Sequence, residues 1–167
     1  MRVALIQMLV TADKAANLRS ACEKIRAAKQ AGADIAVLPE MFCCPYENRC
    51  FRAYGEEAGG EVQQTLSRLA AFNMTTGPAH WELLFRQRAV DNQCFTVGVS
   101  PARDEQASYV AYGNSLAVDP WGTVLCRAGA EETTLLADLD LHRLEAVRKQ
   151  LPILSARRTD LYEVREH

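Results

Sequence analysis

Ile35-Ala36-Val37-Leu38-Pro39-Glu40-Met41-Phe42 is the stretch on which the fold of this chain turns. The apolar run Ile35 to Leu38 reads as a buried strand, and Pro39 ends it because proline brings no backbone N–H to a ladder. Glu40 follows at once, an acid at the mouth of a sheet, where a proton can be moved with little interference from water. Upstream, Val3-Ala4-Leu5-Ile6-Gln7 reads as a second short buried strand. Between the two, Leu18, Cys22, Ile25 and Ala28 recur at helical spacing, with Thr11 or Asp13 as N-cap and Gly32 just past the end. Strand, helix, strand predicts a parallel pair joined by a crossover, the opening of an α/β fold.

Working outward, Met41 to Gly60 is loop-like, punctuated by Pro45, Asn48, Gly55, Gly59 and Gly60. Glu61 to Ala71 is helical, with Val62, Leu66 and Leu69 on one face. An irregular polar loop runs from Phe72 to Pro78, and helical periodicity resumes over Ala79 to Asn92 through Trp81, Leu84, Phe85 and Ala89. Strands are expected at Cys94 to Val99, Ser115 to Val118, Thr123 to Arg127 and Thr133 to Leu139. The second and third of these are joined by the turn Asp119-Pro120-Trp121-Gly122. Leu141 to Gln150 is a short helix, and Leu151 to His167 is a tail carrying Arg157-Arg158.

The 167 residues fit one domain large enough to bury a core, with an apolar fraction of 49% and a charged fraction of 24%. A net charge of −2 gives no general attraction to nucleic acid or to anionic lipid. The run Val3 to Val10 is too short to span a bilayer, and Gln7 interrupts it as a signal-peptide core. A cytoplasmic protein is expected, with a mitochondrial address left open. Six cysteines stand at Cys22, Cys43, Cys44, Cys50, Cys94 and Cys126. Cys43, Cys44 and Cys50 crowd one loop without forming a CxxC pair, which argues against zinc, and all six read as reduced thiols.

Leu38-Pro39-Glu40-Met41-Phe42 followed by Cys44-Pro45-Tyr46 resembles the glutamate loop of the carbon–nitrogen hydrolase (nitrilase) superfamily. Asn73 to Gln93, NMTTGPAHWELLFRQRAVDNQ, resembles the loop and helix after the nucleophile strand in its omega-amidase branch. The likeness continues through Ser100-Pro101-Ala102-Arg103, Tyr109 to Ser115, Asp119-Pro120-Trp121-Gly122 and Arg157 to Tyr162. It implies an αββα sandwich and a catalytic triad of glutamate, lysine and cysteine, without metal or organic cofactor. The cysteine attacks an amide carbon to give a thioester, and the glutamate takes its proton, returns it to ammonia and later activates water. A base is needed because a free thiol is mostly protonated at neutral pH. The lysine and a backbone N–H stabilise the oxyanion.

Carried over residue by residue, Glu40 matches the general base. The strand of the lysine and the elbow of the cysteine have no counterpart. The only lysines are Lys14, Lys24, Lys29 and Lys149, three on the first helix and one near the end, so chain order excludes all four. The likeness jumps from Ala71 to Phe72, so a single domain of residues 1–167 with an internal deletion at about 71/72 is expected. Cys43 and Cys44 lie beside Glu40 in the chain, either as substitute thiols or, the commoner role, as small loop-lining side chains. Thr75, Thr76 and Arg103 suit a carboxylate-bearing substrate, since hydroxyls and a guanidinium bind carboxylates well, although each also fits as a loop cap. His80 is a candidate substrate contact or a helix-start packing residue, and Glu82 a structural hydrogen-bonding group. The expectation is therefore an incomplete αββα sandwich whose partner is a small-molecule amide. Uncovered sheet edges would favour homo-oligomers.

Overall fold

In the computed structural model the described residues are 1–45, 73–153 and 156. The helix expected over Glu61 to Ala71, the 71/72 junction, Cys50, most of the Met41 to Gly60 loop and the Arg157-Arg158 tail lie outside them.

Strand β1 (Arg2–Gln7) leads into helix α1 (Lys14–Gln30), which returns the chain to β2 (Ile35–Val37). Asp13 starts the helix: its side chain accepts the Ala16 N–H at 2.9 Å. Gly32, at φ +82°, takes the left-handed turn that ends it. β1 and β2 pair in parallel, Val3 opposite Ile35 and Leu5 opposite Val37, as a crossover connection requires. After helix α2 (Gly77–Asn92) come β3 (Thr96–Gly98), β4 (Leu116–Val118), β5 (Val124–Arg127), β6 (Thr133–Asp138) and helix α3 (His142–Gln150). β6 lies antiparallel on the other side of β1, so the first sheet has the order β2-β1-β6. The second sheet is antiparallel, in the order β3-β4-β5.

Strand parity assigns the layers. Val3 and Leu5 share an apolar cluster with Val99, Ala117, Ala137 and Leu139, which places them between the sheets. Ala4, Ile6 and Met8 point the other way, against Ala21, Ala28 and Leu18 of α1. In the second sheet Ala117 faces inward, while Leu116 and Val118 pack on Trp81, Phe85 and Ala89 of α2. The result is a four-layer αββα sandwich. Trp81 anchors the fourth layer: it is 1% exposed, meets Phe85 edge-on at 4.7 Å, and donates from Nε1 to the Asn114 carbonyl at 2.7 Å. Gly98 lets the Phe85 ring lie against β3, where an added Cβ would stand 2.6 Å from it.

Several boundaries differ from the sequence reading. β2 is not buried: it is the outermost strand among the described residues, paired only to β1, and Ile35 is 47% exposed. Leu38 leaves the strand but stays buried, in the α1 cluster. Cys94 precedes β3 because its N–H still bonds Ala89 at the end of α2, and Ser115 precedes β4 because its N–H bonds the Gln7 side chain. Helix α2 begins two residues early, with Pro78 in its first turn, where a missing N–H costs nothing. No helix among the described residues is long and apolar enough to cross a membrane.

Two ion pairs fasten the ends of the sandwich. Asp119, 1% exposed, holds the β4–β5 turn by accepting the N–H groups of Trp121 and Thr123, each at 2.9 Å, and receives Arg143 Nε of α3 at 2.6 Å. Asp119→Ala should cost about 2–3 kcal/mol in denaturant unfolding, because it strands three donors at once. At the surface, Arg2 grips Asp138 through Nε and Nη2 at 2.7 and 2.9 Å. Hydrogen bonds from Arg2, with its charge assisting and desolvation opposing, hold the Asp138 carboxyl below the ordinary carboxylate value. A carboxyl depressed on folding contributes stability above its unfolded pKa of about 3.9, lost as pH falls through the lower folded value. Denaturation midpoints should therefore drop less steeply below about pH 4 in Asp138→Asn than in the parent, and high salt should narrow that difference.

Candidate functional site

Glu40 stands on the turn that leaves β2, where two buried neighbours fix the backbone around it. Leu38 and Phe42, both 6% exposed, sink into the α1 cluster on either side, leaving Glu40 half-buried between them. Met41 adopts φ +56°, a left-handed conformation costly for a side chain of that size, and the Cys44 N–H closes the turn onto the Met41 carbonyl at 2.9 Å. The two anchors and this bond hold the strained residue next to the acid.

The acid opens on a cleft of about 60 Å³. Its walls include Glu40 and Cys44 on one side and Asp104, Ser108, Tyr109 and Ala111 of the long β3–β4 connection on the other. Cys44 is 2% exposed, and its Sγ–H donates to the neighbouring Pro45 carbonyl at 3.2 Å. Cys43 packs instead against the α1 cluster. Cys126 lies in the apolar layer between the sheets, where burial pushes its thiol up, against a smaller opposing pull from the Ala117 backbone.

The other candidates sit around this cleft rather than in its wall. Asn73 pairs with the cleft residue Ala111, bringing the start of α2 alongside. There Asn73 Oδ1 accepts the Thr75 N–H at 3.0 Å, the Thr76 N–H at 3.1 Å and the Thr76 hydroxyl at 3.2 Å. Thr75 is exposed, and Thr76 occupies the N-cap position, its hydroxyl turned to Asn73 and not to the first turn of α2. His80 is exposed in the first turn of α2, its N–H bonded to the Thr76 carbonyl. Arg103 lies between two cleft-lining residues, Ala102 and Asp104, but its guanidinium turns to the Tyr112 carbonyl at 2.9 Å and to Glu105 at 3.7 Å. Glu82 receives Arg127 at 2.8 Å and Arg86 at 3.5 Å, tying α2 to β5. Trp81 is core.

No lysine lines the cleft. Lys14 borders a groove along α1 and Lys24 pairs with Glu132 at 2.9 Å. Among the described residues no three His, Cys, Asp or Glu side chains gather as metal ligands. Sequence reasoning missed Ser108 and Tyr109 as cleft residues and Asn73 as the acceptor that closes the turn leading into α2. An asparagine shortly before a proline-led helix start was the available signal for the last.

A model of the carbon–nitrogen hydrolase family matches residues 2–74 and 68–149. The omega-amidase NIT2 of Bos taurus is 34% identical over 267 aligned positions, covering 98% of this chain and 97% of the relative. With 167 residues here, at least 100 of those positions have no residue in this chain. The omega-amidase NIT2 of Danio rerio is 59% identical over 101 residues, 60% of this chain and 36% of the relative. Among solved structures, Nit3 of Saccharomyces cerevisiae, a member of branch 10 of the nitrilase superfamily, superposes with a TM-score of 0.81 at 28% identity, covering 95% of this chain and 96% of that one. XC1258 of Xanthomonas campestris, a CN-hydrolase superfamily protein, shares the fold with a TM-score of 0.78 at 15% identity, covering 99% of both chains.

Asn73→Ala removes the acceptor shared by three donors at the start of α2. It should lower stability by about 1 kcal/mol, the usual order for a lost intramolecular hydrogen-bond acceptor, with amide exchange accelerating first at Thr75 and Thr76.

Proposed function

Because the chain belongs to the carbon–nitrogen hydrolase family and is similar along its length to omega-amidases, we propose that it is an omega-amidase-like hydrolase by descent. Its inherited substrates are terminal amides of small dicarboxylate monoamides such as 2-oxoglutaramate or succinamate, split to the acid and ammonia. In this chain the reaction runs weakly or not at all. The observation that carries the reading is Glu40 in its cleft with no lysine beside it.

Each role follows from the chemistry of amide hydrolysis. Glu40 is the general base, its carboxylate held at the cleft by the Leu38 and Phe42 anchors. A nucleophile and an oxyanion cation are needed as well, and an internal deletion at about 71/72 takes both away. The two family matches, which overlap at 68–74, support that position. Among the described residues Cys44 is the one thiol in the cleft wall, and its S–H donates to the Pro45 carbonyl. The size of the cleft points the same way: about 60 Å³ is room for roughly two waters, far less than a five-carbon monoamide needs. Thr75, Thr76, His80 and Arg103 keep the neighbourhood in which a substrate carboxylate would bind, at the α2 start and along the β3–β4 connection.

A second reading, a non-catalytic variant or pseudoenzyme acting as a binding or dimerisation module, has one observation in its favour. Leu83, Val90 and Trp121, between 41% and 60% exposed, form an apolar strip on the outer face of α2 and the β4–β5 turn.

Ammonia release from succinamate by the purified chain tests the proposal. Loss of nucleophile and cation together should leave kcat/KM at least about 10⁴-fold below that of an intact omega-amidase, with no further drop in Glu40→Gln. Robust turnover abolished both by Glu40→Gln and by thiol alkylation would sink it. Stable folded oligomers without turnover would favour the module. A native intact mass well above 18.5 kDa would mean that the absent block is present in the cell.

A further inference from the structure

We propose that Gln7 is a positioning residue that sets the separation of the two walls of the Glu40 cleft. It occupies the last position of β1, on the same side as Val3 and Leu5, and is 0% exposed. An aliphatic residue would extend that apolar face at lower desolvation cost, so the amide has a different task. Its bonding capacity is fully used. Nε2 donates to the Gly129 and Glu131 carbonyls at 3.0 and 2.6 Å. Oε1 accepts the Ser115 N–H at 3.0 Å and the Ser115 hydroxyl at 2.7 Å.

From Ser115 the chain of bonds runs to both ends of the β3–β4 connection. Ser115 Oγ accepts the Ser100 N–H at 3.0 Å, and Ser100 Oγ accepts the Gly113 N–H at 3.2 Å. Ser100 and Ser115 are themselves 0% exposed, so each of these bonds lies out of water. The connection gathered by this clasp supplies Asp104, Ser108, Tyr109 and Ala111 to one cleft wall. The opposite wall, Glu40 and Cys44, follows β2 on the segment that Leu38 and Phe42 anchor in the α1 layer. One side chain rooted in the first sheet thus holds the loop of the second at a fixed distance from the acid. A satisfied buried network of this kind fixes register more than it adds net stability.

The inference rests on taking the Glu40 cleft as the site, and it is tested without turnover, so that failure to hydrolyse an amide leaves it standing. The full chain is treated with iodoacetamide, and the labelling rate of each thiol is followed by peptide mass spectrometry alongside amide hydrogen exchange. In Gln7→Met, Cys44 should label roughly tenfold faster, and exchange should quicken at Ala102, Gly113 and Ser115. Cys126, in the layer between the sheets, should keep its parental rate. Ser115→Ala, which removes only the hydroxyl link, should give a smaller rise at the same places and serves if Gln7→Met does not fold. An equal rise at Cys44 and Cys126 would mark Gln7 as a general packing residue and overturn the proposal. Unchanged Cys44 labelling in either folded variant would overturn it as well.

Discussion

Strand β1 is apolar on both faces, and that double demand organises the rest of the molecule. Val3 and Leu5 need one apolar layer, Ala4 and Ile6 another, and neither face can be left to water. Helix α1 covers the second face at close range because its contact residues Ala21 and Ala28 are small. The first face is covered by the second sheet, whose β4 has the same two-sided character, Ala117 inward and Leu116 with Val118 outward. Trp81 and Phe85 then cover β4. A sandwich of four layers follows from two strands that cannot expose either side.

The parts of this that were legible in the sequence are those set by near neighbours. Asp13 and Gly32 frame α1, the apolar positions of α1 recur at helical spacing, and Asp119 to Gly122 spell a turn closed by local bonds from the Trp121 and Thr123 N–H groups to Asp119. Glu40 was legible for the same reason, since Pro39 and the flanking Leu38 and Phe42 are adjacent to it. What was not legible depends on distant partners. The exposure of Ile35 turns on what lies beside the outer edge of β2, which its own apolar side chains do not encode. Arg103 looked suited to a substrate because its type fits a carboxylate, whereas its direction is set by the Tyr112 carbonyl across the loop. Gln7 read as a mere break in an apolar run; its partners lie 108 to 124 residues away.

On the proposed reading the general base is the one part of the family's chemistry that this chain keeps. Glu40 belongs to the α1 and β1 layer, fixed by core residues that pack whether or not a substrate ever binds. Function resides in sites grafted on a fold, so a fold can keep one catalytic group in place while others are lost. For a thiol hydrolase such a loss would be close to complete, because a carboxylate alone can only activate water against an unpolarised amide.

The survival of a well-formed cleft is consequently weak testimony to catalysis. Its far wall is held by Ser100, Ser115 and Gly113 through bonds that are buried and satisfied within the protein, with Arg103 adding a link to Tyr112. Such bonds are retained because leaving any one of their partners unpaired would cost the fold directly. A cleft stabilised by its own scaffold persists after the chemistry has gone, and its shape then records ancestry. On the proposed reading, catalytic competence depends instead on a nucleophile and a cation near Glu40, and the four lysines of this chain all lie outside the cleft wall.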